Sequence, residues 1–173
     1  MYKLVIFFFL ILFLINNNLY ANDKIVFINI NYIFTNSNAG KKLYEQIDQK
    51  NKQIQIEINK TKTELESEKK QILSQKNVLS VEEYNKKITN LENKIIEMNT
   101  KIQKKQDELN LFKNKVEKNF SKQLNMIIEE YSVQNSIDII FKKENLLMAK
   151  KNLDITENIF NLFNEKIDII KLD

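Results

Sequence analysis

The chain of 173 residues has no cysteine, no histidine, no tryptophan and no proline, and its one glycine is Gly40. Without cysteine there is no disulfide and no thiol nucleophile. The lack of histidine removes the commonest general acid–base group and, with cysteine gone too, nearly every transition-metal site. A single glycine excludes a glycine-rich phosphate loop. With the two turn-forming residues almost missing, tight turns are few and long uninterrupted elements are expected. Arginine is missing as well: all 27 basic residues are lysine, set against 23 acidic ones for a net charge of +4. That excess is too small to demand a nucleic-acid partner. The carboxylates lie spaced along polar helical faces, which does not suit paired acid–base work. No enzyme activity, cofactor or metal is expected.

Long apolar runs are also scarce. The one that stands out, Leu4 to Ile15, follows Lys3 and is broken by Asn16, Asn17 and Asn18 before Ala21. It is shorter than the ~20 residues a helix needs to span a bilayer. A basic start, an apolar stretch and a small residue at its end read as an export signal covering residues 1–21, cleaved after Ala21. The mature chain would then begin at Asn22.

What remains is strongly patterned. Lys24–Ile30 is β-branched and aromatic, and reads as a strand that is apolar on both faces, with Ile25 and Phe27 on one and Val26, Ile28 and Ile30 on the other. Asn31–Phe34 fits a short helical turn, and Ser37 an N-cap. From Asn38 to about Asn77 an apolar stripe recurs at helical spacing through Leu43, Ile47, Ile54, Ile58, Leu65 and Ile72. Ser80 and Glu83 then make a capping box, with Leu79 and Tyr84 placed for a hydrophobic staple. The helix after it carries Ile88, Ile95, Ile102, Leu109 and Val116 at seven-residue intervals, with Tyr84, Leu91, Met98 and Phe112 on the second seam position and Lys105 as its exception, and runs to about Tyr131. Two long helices joined by a short break imply an antiparallel hairpin. Ile137–Phe141 and Leu146–Ala149, separated by Lys142–Asn145, read as two strands of a β-hairpin. Asp154 or Thr156 is expected to cap a last helix with an apolar face of Ile155, Ile159, Leu162, Phe163 and Ile167.

The predicted fold is therefore mainly α with a small β part: a coiled-coil arm at residues 37–135, its tip near 77–80, projecting from a small strand-containing body made of residues 22–36 and 136–173. A body of that size is marginal alone and has no staple. Its core is expected to be completed by other copies of the chain, with Ile25, Phe27, Ile28, Ile139, Phe141 and Leu147 as candidate oligomerisation residues.

The order of elements resembles that of the Skp/OmpH periplasmic chaperones, and short words agree with it. Lys24–Ile30 is similar to the family's opening strand, with Asn29 where an aspartate is common. Ser37-Asn38-Ala39-Gly40-Lys41 resembles the Ser-Pro-Ala-Gly-Lys entry to the first long helix, with Asn38 in place of proline. Asp154-Ile155-Thr156 resembles the word before the terminal helix. The resemblance implies a homotrimer with three arms around a cavity. It also implies ATP-independent binding of unfolded outer-membrane β-barrel proteins in the periplasm until they insert.

Within that frame the arm supplies candidate client contacts. Residues 60–105 hold 11 lysines and 7 glutamates, so the basic excess lies in the distal half of the arm. Lys60, Lys62, Lys69, Lys70, Lys76, Lys86 and Lys87 would attract acidic clients or anionic lipid head groups. Tyr84 and Met98 are the apolar candidates near the tip, while Ile88, Ile95, Ile102 and Leu109 read as hairpin seam. An alternative reading is a coiled-coil spacer of the cell envelope tethered by an uncleaved signal, which needs no body strands. A basic nucleic-acid-binding protein is opposed by the export signal and the mixed charge.

Overall fold

The computed structural model describes residues 23–172, so the export-signal segment lies outside the described residues. The order is β1 (Ile25–Ile28), α1 (Ile30–Asn36), α2 (Asn38–Ser74), α3 (Val81–Gln134), β2 (Ile139–Lys142) and α4 (Thr156–Lys166), with short 3-10 turns at Lys143–Asn145 and Lys151–Leu153. At about 1.5 Å per residue, α2 reaches roughly 55 Å and α3 roughly 80 Å. The two form the antiparallel hairpin, and the last third of α3 lies on the body.

The β-branched run at the start does form a strand, but its partner is parallel. Ile25 pairs with Ile139, Val26 with Ile140, Phe27 with Phe141 and Ile28 with Lys142. The arm is thus the crossover connection of a two-stranded parallel sheet. On its other edge β1 makes one bridge, in which the Ile155 N–H donates to the Phe27 carbonyl at 3.0 Å. The expected β-hairpin does not form. Leu146–Ala149 is irregular, because its backbone finds no ladder partner once β2 is taken by β1. Ile30, assigned by pattern to the strand, opens α1 instead, since the Asn29 side chain accepts from the Tyr32 N–H at 3.0 Å and caps the helix there.

Ser37 joins α1 to α2 without a linker. Its N–H donates to the Ile33 carbonyl at 2.9 Å and its Oγ accepts from the Gly40 N–H at 3.1 Å, so one buried residue ends one helix and caps the next. At the tip, α2 stops at Ser74, slightly before the expected Asn77, and the chain turns through residues 75–79. The predicted capping box is in place: Ser80 Oγ accepts from the Glu83 N–H at 3.3 Å and Glu83 Oε2 accepts from the Ser80 N–H at 3.1 Å. At the far end of α3, Ser136 takes a left-handed φ of 51°, the Ile137 N–H donates to the Ser132 carbonyl at 3.0 Å, and the helix closes as a Schellman turn.

Neither Asp154 nor Thr156 caps α4 as expected. Ile155 holds the cap position without a side-chain bond. Asp154 Oδ1 instead accepts from the Thr156 N–H at 2.9 Å, and Thr156 Oγ1 accepts from the Asn29 N–H at 2.9 Å, which ties α4 to the cap of α1. The core gathers Val26 and Ile28 of β1, Ile33 of α1, Leu43 of α2, Val116, Phe120, Leu124 and Ile127 of α3, and Ile159 and Phe163 of α4. Phe120 sits between two rings, edge-on to Phe34 at 4.9 Å and tilted against Phe163 at 5.2 Å. Beyond α4 the tail packs back through Ile170, and Lys42 Nζ meets Asp168 Oδ2 at 2.8 Å.

Candidate interaction surfaces

Side chains alternate across the small sheet. Val26, Ile28 and Ile140 face the core, while Ile25, Ile139 and Phe141 turn outward and are 40%, 42% and 44% exposed. Leu147 and Met148, on the irregular segment after β2, stand fully in solvent. A parallel pair is normally covered on both faces, and the outer edge of β2 has no ladder partner among the described residues. Of the six candidate oligomerisation residues, the structure leaves Ile25, Ile139, Phe141 and Leu147 available. It buries Phe27 and Ile28 in the chain itself, Ile28 as part of the core. Ile28 lies on the core side of the strand, because even-numbered residues of β1 point inward.

A cleft of about 620 Å³ opens where the arm meets the body. Ile30, Phe34, Tyr44, Ile47, Val116 and Phe120 make its apolar lining, and Asp48, Lys113, Glu117, Lys142 and Glu144 are its charged residues. Beside it Lys50 Nζ lies 5.3 Å from the centre of the Phe112 ring, a cation–π contact. The cleft was not legible in the pattern, because its walls come from elements far apart in the chain.

Along the arm, all seven distal lysines are exposed. Lys87 donates to Gln75 Oε1 at 2.9 Å across the tip, whereas Lys60, Lys62, Lys69, Lys70, Lys76 and Lys86 have no carboxylate partner among the described residues. Tyr84 and Met98 are half-buried, so they are partly seam residues. The seam itself is uneven: Leu91, Leu109 and Val116 are buried, but Ile95 is 40% exposed. Four carboxyl or amino groups in the described part are perturbed by partners on the surface. Lys101 beside Glu57, Lys166 beside Glu130 and the Ser80 hydroxyl and N–H beside Glu83 each hold the carboxyl below the usual carboxylate range, while Asp48 raises the Lys52 ammonium. These are ion pairs and a cap, not an acid–base couple. Among the described residues no acidic cluster has metal-ligand geometry, and no helix is long and apolar enough to cross a membrane.

The hairpin, the parallel strand pair and the terminal helix define a fold that can be compared as a whole. The model of the outer membrane protein (OmpH-like) family matches residues 24–162. The chain belongs to the OmpH-like family. The match takes in the whole arm and both strands of the body, and stops within α4. The crystal structure of an OmpH-like protein from Caulobacter crescentus CB15 superposes with a TM-score of 0.78 over 88% of this chain and 90% of that one, at 18% identity. At that identity the likeness is one of fold. No curated protein matches the sequence. The OmpH-like fold confirms the expected mainly α architecture with a helical arm and a small sheet.

Proposed function

We propose that this OmpH-like chain is a periplasmic holdase chaperone, which binds unfolded outer-membrane proteins without ATP and keeps them soluble before insertion. Residues 1–21 would serve as its cleaved export signal, and residues 37–135 as its arm. The observation that carries the reading is the division of labour in the fold: a long arm with a thin seam stands on a body that leaves one apolar sheet face and one strand edge open. The open face and edge suit association with further copies, and we infer a homotrimer from the family resemblance. An arm with few buried contacts can move at low cost, as a holder of varied clients needs. The fold shared with the OmpH-like protein from Caulobacter supports this reading. A tethered coiled-coil spacer is less favoured, because it needs neither the strands nor the buried body core.

Clients would meet the arm through Tyr84, Met98 and the distal lysines Lys60, Lys62, Lys69, Lys70, Lys76, Lys86 and Lys87, the lysines acting by long-range attraction. The same charges would let the arm approach anionic lipid head groups. Ile25, Phe27, Ile139, Phe141 and Leu147 would lie at or next to the contact between copies. The test is suppression of aggregation of an unfolded outer-membrane β-barrel by the mature chain, with mass determination of the particle. Soluble client on a trimer is the expected result; a folded monomer that leaves client aggregation unchanged would overturn the reading.

A further inference from the structure

Helix α4 ends at Lys166, and the residues after it do not leave the body. Ile167 is extended, with φ −127° and ψ 98°, and the chain then runs without helix or strand to Leu172. This stretch lies past residue 162, where the family match ends. Its last side chains alternate. Ile170 is buried in the core cluster and Leu172 packs against it, while Ile169 and Lys171 face solvent. That is the in–out order of an extended strand, formed here without a sheet.

The tail is held by side chains. Among the described residues, no main-chain N–H or carbonyl of residues 168–172 bonds another main-chain group. Lys42 Nζ, near the start of α2, meets Asp168 Oδ2 at 2.8 Å and donates to the Asp168 carbonyl at 3.3 Å. Both side chains of this pair are more than a third exposed, so solvent weakens it. The helix before the tail is anchored differently. Asn164 Oδ1 accepts from the Asn38 N–H at 2.9 Å, Lys166 Nζ meets Glu130 Oε1 at 2.6 Å, and Ile159 and Phe163 are fully buried. The tail can therefore lift while α4 stays in place.

We propose that residues 167–172 are a built-in occupant of a peptide groove beside the start of α2, and that an extended peptide of the same chemistry takes their place. The groove selects apolar side chains at alternate positions, through the seats of Ile170 and Leu172, and a carboxylate ahead of them, through Lys42. An unfolded β-strand segment with an acidic residue before its apolar ones is such a peptide. A seated tail shuts the groove to it. The groove and its occupant do not rest on the chaperone reading; only the identity of the competitor, a client segment, does.

The probe is a fluorescein-labelled peptide of residues 167–173, Ile-Asp-Ile-Ile-Lys-Leu-Asp, added to the full chain and followed by fluorescence anisotropy. The parent chain is expected to bind it weakly, because a tethered occupant competes at high effective concentration. Ile170→Asp with Leu172→Asp unseats the tail and should tighten peptide binding about tenfold or more, as the competent fraction rises. Asp168→Lys changes an exposed residue and leaves the core untouched; it should tighten binding up to about fivefold, the range of an exposed ion pair. Adding Lys42→Glu to the unseated chain should weaken the peptide, and a peptide carrying Asp168→Lys should restore binding. Far-ultraviolet circular dichroism checks that each variant keeps its helices; should the double variant lose them, Asp168→Lys decides. Equal peptide affinity in the parent and in both tail variants, or no binding to an unseated chain that keeps its helices, would overturn the proposal. No client is present in this measurement, so its failure leaves the holdase reading standing.

Discussion

Gly40 lies directly against the backbone of Phe34: a Cβ at Gly40 would meet the Phe34 carbonyl oxygen at 1.8 Å and its carbon at 2.8 Å. The end of α1 therefore rests on the first turn of α2, and only a residue without a side chain lets them meet. The obstacle is main chain, so it cannot swing aside.

Gly40→Ala is accordingly expected to destabilise the body by about 1–3 kcal/mol or more, the cost of overpacking a fixed site. Thermal unfolding followed by circular dichroism checks this.

Ser136 is the one residue other than glycine that adopts a positive φ among the described residues. It sits at the C′ position of the turn that ends α3, where glycine is favoured. Ser136→Gly should stabilise the fold by about 0.5–1 kcal/mol, read as a higher midpoint in denaturant with an unchanged slope. A lower midpoint would mean that the serine side chain has a role the backbone does not explain.

The aromatic contacts at the root predict where stability is concentrated. Phe120→Ala removes a buried ring that touches both Phe34 and Phe163, and is expected to cost about 3–5 kcal/mol. Ile95→Ala, at a partly exposed seam position, should cost well under that, because little apolar surface is withdrawn there. Chemical denaturation of the two variants side by side tests the contrast.

Glu83 makes the tip sensitive to acid. Its carboxyl is held below the usual range by the Ser80 hydroxyl and N–H, so its charged form is favoured in the folded state. A carboxyl depressed on folding adds stability above its unfolded pKa, and the gain is lost as pH falls through the folded value. The protection of the amides at residues 81–84, their exchange rate taken relative to the free chain at the same pH, should fall on acidification. In Glu83→Gln, which keeps an acceptor but cannot titrate, that part of the pH response should vanish.

Reversing the charge of Lys69, Lys70, Lys86 and Lys87 to glutamate should slow client capture at low salt and leave arm helicity nearly unchanged, since all four are exposed. Stopped-flow capture kinetics with far-ultraviolet circular dichroism separates the two effects. Capture rates equal to the parent's at low salt would remove the electrostatic part of the mechanism.

The helices could be read directly because their signals are local. Ser80 and Glu83 lie three residues apart and mark the tip by themselves; the stripe from Ile88 to Val116 shows the seam. The strand partner of β1 could not be read that way. Ile25 and Ile139 are joined only through the closed arm, and nothing near either residue says whether they run parallel. Leu146–Ala149 has the composition of a strand, but composition does not provide a neighbour, and a single chain leaves it unpaired. The uneven seam of the arm was half visible, in Lys105 as its exception. Its ion pairs were not, because the facing of Glu57 to Lys101 depends on how the two helices are aligned. The available faces of β1 and β2 became clear only when the core claimed Ile28.

The pairing of Ile25 with Ile139 has a consequence for the order in which the molecule acquires its shape. On a chain made from its N-terminus onward, β1 is complete more than a hundred residues before its mate exists. Closing so distant a contact is slow unless something shortens the path. The hairpin does that, since bending at Ser80 carries the end of α3 back to the start of β1, where Asn135 meets Lys24 at 2.9 Å. Assembly should therefore start where Phe120 meets Phe34 and finish at the sheet, with β1 unsatisfied throughout the interval.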